Sequence, residues 1–205
     1  MLNYIAVVTM LVYHIGLVFY PDTLIFRIIG RLAMPIYIFL AVQAINHTSD
    51  FKKYCIRLLG IALIAQLPFM YVITPWKLNI VFNILLSVLV IKFIQKTKLH
   101  MKSIFMVGVA LLISYYLMEY SFYCLMLMMG YYFIRNGYYL TTYHFVLNLI
   151  VMIAFNWVLQ IFSLVATLFI FLEKKLPKIK INRNFYRAFY PGHLLFIGII
   201  KWIFY

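Results

Sequence analysis

"LNYIAVVTMLVYHIGLVFY" occupies residues 2–20 and decides the fold class. About 20 mostly apolar residues are enough for a helix to cross the hydrocarbon core of a bilayer. Runs of this kind recur along all 205 residues, of which 67% are hydrophobic and only 11% are charged. Soluble domains carry about a quarter charged residues. The sequence therefore predicts an all-α polytopic membrane protein that forms a single domain over residues 1–205.

Other fold classes fit the sequence poorly. A transmembrane β-barrel alternates apolar and polar residues over ~10-residue segments, and these runs do not alternate. The first run has neither the basic n-region nor the small-residue cleavage site of a signal peptide, so we expect it to be retained as a span. Cys55 and Cys124 lie far apart and no Cys/His metal spacing occurs, which argues against a disulfide framework or a metal site.

Turns and polar loops divide the chain into about nine spans, with eight or ten as alternatives. Residues 136–142 are predicted as a loop, and Asn156 with Trp157 divides a run that is too long for one upright span. We interpret Pro191-Gly192 as a helix break at the start of the last span. The predicted spans cover 2–20, 24–46, 54–73, 80–95, 103–118, 121–135, two short segments within 143–172, and 188–204.

The basic residues are distributed unevenly between the two sets of loops. Placing alternate loops on opposite sides gives one side fourteen of the 18 Lys and Arg residues. Cytoplasmic loops carry the excess of Lys and Arg, so we expect a cytoplasmic N-terminus and an external C-terminus. The net charge of +14 then reports topology and lipid contacts rather than nucleic-acid binding. The fourteen are Lys52, Lys53, Arg57, Lys92, Lys96, Lys98, Lys102, Arg135, Lys174, Lys175, Lys178, Lys180, Arg183 and Arg187.

His14 lies inside the first predicted span, ~18 Å from its cytoplasmic end at 1.5 Å per residue. Arg27 and Arg31 begin the returning span at a similar depth, one helical turn apart and on one face. Ionisable residues inside a bilayer usually face a cavity, a partner or water. The alternatives are a neutral imidazole that only joins two helices, and arginines that extend to the membrane interface.

These residue types suit proton transfer and charge stabilisation. The reference pKa of histidine, ~6.5, makes His14 a candidate general base, and Arg31 with Arg27 could hold an anionic group or an oxyanion. His193 would line a cavity at the predicted Pro-Gly break or cap the helix. Near loop ends we expect three solvated histidines: His47, His100 and His144.

Four stretches resemble the TraX family of membrane acetyltransferases, and their order spans almost the whole chain. TraX itself N-acetylates pilin subunits in the bacterial inner membrane, and the family is similar to a broader set of acyltransferases that use cytoplasmic acetyl-CoA. One position departs from the family pattern, because the usual Asp-His-Ile-Gly is Tyr13-His14-Ile15-Gly16 here. The stretches are TMLVYHIGLVFYP (9–21), RIIGRLAMPIYIFLAVQAINHTSDFKKYCIRLLGIALIAQLPF (27–69), LNIVFNILLSVL (78–89) and FYPGHLL (189–195).

The resemblance implies a membrane-embedded acetyltransferase of the bacterial cytoplasmic membrane. Acetyl-CoA would be the donor, with no metal, and the partners would be the lipid bilayer and a peptide or envelope acceptor, with no nucleic acid. We expect an acceptor amine, foremost a peptide or pilin-like N-terminus. The alternatives are O-acetylation of a cell-envelope glycan or lipid, a small transporter, and a non-enzymatic partner subunit. The oligomeric state stays open, a homodimer included.

The resemblance also implies which residues matter. His14 and Arg31 are the catalytic candidates, and Pro35 lies in the same matching stretch as Arg31. The CoA phosphates are expected to meet Lys and Arg side chains. Gln66 and Asn83, inside predicted spans, have helix-joining hydrogen bonds as their alternative role. The predicted acetyl-CoA-binding and substrate-binding residues are Arg27, Lys53, Arg57, Gln66, Asn83, Tyr190 and His193.

Overall fold

The computed structural model describes residues 1–97, 100–177, 179 and 181–204. Within these ranges the regular structure is helical, apart from one isolated bridge between Leu78 and Met118. Lys98, Lys178 and Lys180 of the topology prediction lie outside the described residues. The α-helices are α1 (Leu2–Phe19), α2 (Leu24–Gly30), α3 (Ala33–His47), α4 (Phe51–Val72), α5 (Ile80–Thr97), α6 (Met101–Leu117), α7 (Tyr123–Phe133), α8 (Gly137–Phe155), α9 (Leu164–Phe171) and α10 (Arg183–Phe204), with short 3₁₀ segments at Val158–Ser163 and Glu173–Lys175.

Five helical segments of the described chain are long and apolar enough to cross a bilayer, judged by length and composition. They are α1, α2 and α3 taken together, α4, α5 and α8. Shorter apolar helices are α6, α7 and the stretch that ends with α9. The all-α polytopic fold class is therefore confirmed. The count of nine spans stays a prediction, because it also needs these shorter helices and α10 to cross.

The two largest apolar cores share α5. One apolar core lies between α3, α5, α7 and α8 and includes the fully buried Ile91, Tyr123 and Met128. The other lies between α1, α4, α5 and α10 and includes the fully buried Phe69 and Leu194. Helix α10 makes its most extensive contact with α4 and also packs on α1. The first and last helices are therefore neighbours.

The second predicted span, 24–46, corresponds to the apolar helical stretch Leu24–His47, which divides into α2 and α3. Arg31 and Leu32 lie between the two helices and keep right-handed helical dihedral angles, but the Leu32 amide donates to the Ile29 carbonyl, only three residues earlier. Pro35 lies in the first turn of α3, where its missing N–H costs no hydrogen bond. A proline ring clashes with the carbonyl four residues earlier, here that of Arg31, so a helix cannot continue undisturbed through this point.

Two predicted boundaries are wrong. Helix α10 begins at Arg183 and continues through Pro191, so no break precedes His193. The backbone hydrogen bonds of the helix continue on both sides of Pro191, which lacks an N–H group. Residues 137–142 belong to α8 rather than to a loop, because the Asn136 side chain accepts hydrogen bonds from two backbone N–H groups of the first turn. The predicted break at Asn156 is confirmed, with this residue in the left-handed region at φ 57°.

Short connections bring alternate helix ends together. The Leu78 amide donates to the Leu117 carbonyl at 2.8 Å, which joins the α4–α5 connection to the end of α6. At the opposite end, Gln43 Nε2 donates to both carboxylate oxygens of Glu173 at 3.0 and 2.9 Å. We call the connections after α3, α5, α7 and α9 the basic end, and those after α1, α4, α6 and α8 the far end. Most of the Lys and Arg residues lie at or near the basic end.

Candidate active site

Two histidines from the first and last helices meet inside the protein. His14 Nδ1 of α1 lies 2.8 Å from His193 Nε2 of α10, and the ring centroids are 4.9 Å apart. The two residues are only 5% and 7% exposed. Sequence reasoning selected each of them separately. Their pairing joins residues 179 positions apart and follows from the packing of α1 on α10.

The hydrogen bonds around the pair assign its tautomers. His193 Nδ1 lies 2.7 Å from the Phe189 carbonyl oxygen, which can only accept, so Nδ1 carries the proton. In the neutral ring Nε2 of His193 is then the acceptor, and His14 Nδ1 must donate to it. His14 Nε2 keeps its lone pair and forms no hydrogen bond with a described residue. The chain Phe189–His193–His14 therefore leaves one ring nitrogen able to take a proton.

Arg31 extends from the interruption between α2 and α3. Its guanidinium carbon lies 5.7 Å from the centroid of the Tyr13 ring, and Nη1 donates to Gln160 Oε1 at 3.3 Å. Its Nε is buried and has no hydrogen-bond partner. The Tyr13 ring in turn lies 5.1 Å from the His14 ring, centroid to centroid. Arg27 is within electrostatic range of Tyr13, one turn before Arg31.

Glu119 completes the charged part of the site, and sequence reasoning missed it. It lies in the short connection between α6 and α7, which is held by a hydrogen bond of 3.0 Å from its own amide to the Leu78 carbonyl. Its carboxyl group is within electrostatic range of Arg31, Tyr13 and Tyr190. Burial raises the pKa of Glu119 to about 8, against the lowering influence of Arg31. An acid beside a turn gave no signal in the sequence, because such residues are usually solvated.

A cavity of about 420 Å³ opens at the basic end and extends toward the histidine pair. Arg57, Arg187 and His47 line its outer part, while Met10 and Tyr190 line its inner part. Met10 lies one helical turn before His14 on the same face of α1. The Tyr190 ring is 5.7 Å from the His193 ring, centroid to centroid. The cavity therefore ends about one turn, roughly 5.4 Å along α1, from His14.

A second cavity, of about 740 Å³, lies between α1 and α10. Its lining is almost entirely apolar and includes Ile15, Phe189 and Phe196. His193 also lines it, so the histidine pair lies between two openings, one at the basic end and one along the apolar outer surface. His14 itself lines neither cavity.

Three predicted binding residues lie away from the basic-end cavity. Lys53 is exposed and forms an ion pair of 3.2 Å with Asp50, which caps α4. Gln66 holds the α4–α5 connection, because its Nε2 donates to the Lys77 carbonyl and its Oε1 accepts from Asn79. Asn83 is fully buried and donates to the Ser121 carbonyl at 3.1 Å, in the same connection that carries Glu119. Of the seven predicted binding residues, Arg57 and Tyr190 line this cavity.

His144 is buried, which corrects the expectation that it is solvated. It is 0% exposed, whereas His47 and His100 are exposed as predicted. Its Nδ1 lies 2.8 Å from Thr167 Oγ1 and its Nε2 lies 2.9 Å from the Tyr123 hydroxyl. The hydroxyl of Tyr123 donates to Asn148 Oδ1 at 2.7 Å. This network joins α7, α8 and α9 and gives His144 a structural role.

The family model described as "TraX protein" matches residues 1–201. This chain belongs to the TraX family. An uncharacterized protein of Rickettsia prowazekii (strain Madrid E) is 51% identical to this TraX-family chain over 41 residues, which is 20% of this chain and 16% of the relative. No solved structure matches the chain.

Proposed function

We propose that this TraX-family protein transfers an acetyl group from acetyl-CoA to an acceptor amine, most directly a peptide N-terminus presented at the far end. One observation carries the proposal. The His14–His193 pair leaves the Nε2 lone pair of His14 free about one helical turn from a cavity that has arginines at its mouth. General bases within reach of a reactant are the usual means of activating an amine.

The basic-end cavity suits the donor. Its volume of about 420 Å³ falls in the range of small-molecule sites. Arg57 and Arg187 at its mouth offer paired N–H donors for phosphate oxygens, and the apolar side chains deeper inside suit the pantetheine arm. The thioester would then lie near Tyr190, beside the histidine pair. The predicted cytoplasmic position of the basic end agrees with the compartment that holds acetyl-CoA.

We assign the steps of acetyl transfer to two side chains, His14 and Arg31. The neutral acceptor nitrogen attacks the thioester carbonyl carbon, so the N–C bond forms while the C–S bond breaks. His14 Nε2 removes the proton that the nitrogen loses and delivers it to the leaving thiolate, which departs as CoA thiol. The guanidinium of Arg31, whose Nε has no partner, stabilises the negative oxygen of the tetrahedral intermediate.

Turnover of labelled acetyl-CoA by the purified protein in nanodiscs tests the proposal. We expect transfer to a peptide with a free α-amino group and little transfer to a hydroxyl acceptor of similar size. Replacing His14→Gln removes the base, and a general base contributes roughly 10²- to 10⁴-fold, so kcat should fall by that factor. His100→Gln is the matched control, because His100 is exposed, lies in the connection between α5 and α6 and lines neither cavity. Full activity in His14→Gln, or substrate flux without acetyl chemistry, would contradict the proposal.

A further inference from the structure

A further cavity adjoins the basic-end cavity at the start of α10. It has a volume of about 580 Å³, and we call it the Arg183 cavity. Tyr186 and Arg187 line both cavities, so a ligand at the mouth of the basic-end cavity has a second recess directly beside it. The other residues that line the Arg183 cavity come from the start of α1, the chain before α10 and the first turn of α10: Asn3, Ile179, Ile181 and Arg183.

Asn182 fixes the first turn of α10. Its Oδ1 accepts from the amides of Asn184 and Phe185 at 2.8 and 3.2 Å, and its carbonyl accepts from the Tyr186 amide at 3.0 Å. Such a cap satisfies amides that have no partner within the helix. The Tyr186 ring is also held from α3, because the Tyr37 ring stacks on it with 6.0 Å between centroids. The start of α10 therefore holds the side chains that line the two cavities at a defined spacing.

Arg183 and Arg187 are two neighbouring cations without a counter-charge. They lie four residues apart on one face of α10, a spacing that places Cβ atoms about 5–6 Å from each other. Both are exposed, neither forms an ion pair with a described residue, and no acid is among the described residues that line the two cavities. Like charges at this spacing destabilise a helix, and its dipole opposes cations near its N-terminus. An anion bound between the two arginines would relieve both effects.

A phosphate monoester suits this pair of arginines. Its second pKa of about 6 gives it a charge of about −1.5 to −2 at pH 7, and guanidinium groups bind its oxygens through paired N–H donors. Coenzyme A carries such a group, because a 3′-phosphate lies across one ribose from its pyrophosphate. With the pyrophosphate between Arg57 and Arg187 at the mouth of the basic-end cavity, the 3′-phosphate would lie beside it, next to Arg183.

We propose that Arg183, together with Arg187, binds the 3′-phosphate of acetyl-CoA and thereby selects the donor. This inference rests on the acetyl transfer proposed above and names the part of the donor that the protein recognises. A thioester on carrier-bound phosphopantetheine has the same reactive group but no 3′-phosphate. The Arg183 cavity therefore favours CoA thioesters over carrier-bound thioesters.

Lipid headgroups are another source of phosphate at a basic membrane surface. Two features favour CoA. The Arg183 cavity shares its lining with the basic-end cavity, and it has no lining residue in common with the apolar cavity between α1 and α10 that could take a lipid chain. A diester headgroup also carries less negative charge than a phosphate monoester.

The test compares binding of CoA and of 3′-dephospho-CoA to the protein in phosphatidylcholine nanodiscs, which requires no transfer. We expect the wild type to bind CoA roughly tenfold more tightly or better, because charge-assisted hydrogen bonds usually contribute at least that factor. Arg183→Gln should weaken CoA binding until the preference is lost and leave the affinity for 3′-dephospho-CoA unchanged. Arg135→Gln is the matched control, because Arg135 is an exposed arginine between α7 and α8, at the same end, and lines neither cavity.

Equal affinity of the wild type for the two ligands, or an equal loss for both ligands in Arg183→Gln, would overturn the inference. Nanodiscs with added phosphatidylglycerol distinguish the two sources of phosphate. If Arg183 binds a headgroup instead, Arg183→Gln lowers the melting temperature only in these nanodiscs and the wild type shows no preference for CoA, which also overturns the inference. A CoA preference without acetyl transfer to any acceptor leaves the 3′-phosphate site standing while the proposed function fails. Absence of CoA binding refutes both.

Discussion

At the scale of single residues, one backbone carbonyl determines which histidine of the pair donates the hydrogen bond and which accepts it. Phe189 accepts from His193 Nδ1, which leaves His193 Nε2 as the acceptor for His14. Without this carbonyl either ring could donate to the other, and His14 Nδ1 could then present its lone pair to His193. The carbonyl plays the orienting role that a carboxylate plays in many catalytic triads.

Replacing His193 tests this orienting role. His193→Leu removes the acceptor for His14 Nδ1, so we expect kcat for acetyl transfer to fall roughly 10²-fold or more, with little change in KM for acetyl-CoA. His193→Gln keeps a carbonyl acceptor on the same helix and should retain more activity than His193→Leu. Steady-state kinetics of both variants shows whether His193 positions His14 through the hydrogen bond or only fills space between the helices. Equal losses in the two variants would contradict the role assigned to the hydrogen bond.

The sequence revealed the site residues that stand out chemically from their surroundings. His14 and Arg31 were predictable because an ionisable group inside an apolar run is costly and therefore rare. Glu119 was not predictable, since an acid beside a turn is ordinary in solvent and only the fold shows that it is partly buried. The pairing of His14 with His193 was also out of reach, because no local pattern relates the two ends of the chain.

At the scale of elements, the interruption before α3 aims Arg31 at the site. Gly30, the last residue of α2, lets the Tyr13 ring approach so closely that an added Cβ would lie 2.4 Å from the Tyr13 Cβ. Gly16 makes a similar close contact with Phe26. Helices α1 and α2 therefore touch through two glycines. The Tyr13 ring, held in this way, supports the guanidinium of Arg31.

Gly30→Ala should disturb this contact. A methyl group at this distance must displace α2 or Tyr13, and overpacking of this kind costs about 1–3 kcal/mol. We expect a lower melting temperature in nanodiscs and a larger relative loss of kcat than of acetyl-CoA binding. Gly108→Ala in α6 is the matched control, because nothing lies within 4 Å of its added Cβ. A Gly30→Ala protein as stable as the control would disprove the close packing.

Element boundaries were less predictable than element types, and two of the boundaries that the prediction lacked had readable signals in the sequence. Gly30 and Pro35 bracket the interruption of the second span, and a proline ring disfavours the helix four residues before it. Asn136 directly before Gly137 is an N-cap signal for α8. Pro191 gave the opposite error. Pro191 and Gly192 are both accommodated within α10, because packing against α4 and α1 compensates for one lost hydrogen bond.

At the scale of the whole molecule, the two ends of the bundle differ in what they can bind. The basic end has a cavity bordered by Arg57 and Arg187, whereas the far end carries Glu119 within electrostatic range of Arg31. In the proposed reaction, donor and acceptor would approach from opposite ends and meet near Tyr190. The division follows the distribution of Lys and Arg between loops, which the sequence alone predicted.

Sealed vesicles test this division. Acetyl-CoA does not cross membranes, so we expect added acetyl-CoA to be turned over by inside-out vesicles that are loaded with the peptide acceptor, and not by right-side-out vesicles with the acceptor outside, given the predicted orientation. In the active preparation, Arg57→Ala should raise KM for acetyl-CoA roughly tenfold, as expected for loss of a charge-assisted hydrogen bond. Lys53→Ala should leave KM unchanged, because Lys53 is paired with Asp50 outside the cavity. Equal effects of the two substitutions would place the donor elsewhere.

The isolated bridge between Leu78 and Met118 joins two connections of the far end, the one after α4 and the one after α6. Ile80 and Val81 wall the basic-end cavity, and the chain just before them clasps the backbone of residues 117 and 119. Gln66 and Asn79 hold this stretch through two hydrogen bonds to the Gln66 side-chain oxygen. The inner wall of the basic-end cavity and the connection that carries Glu119 are therefore parts of one hydrogen-bonded unit.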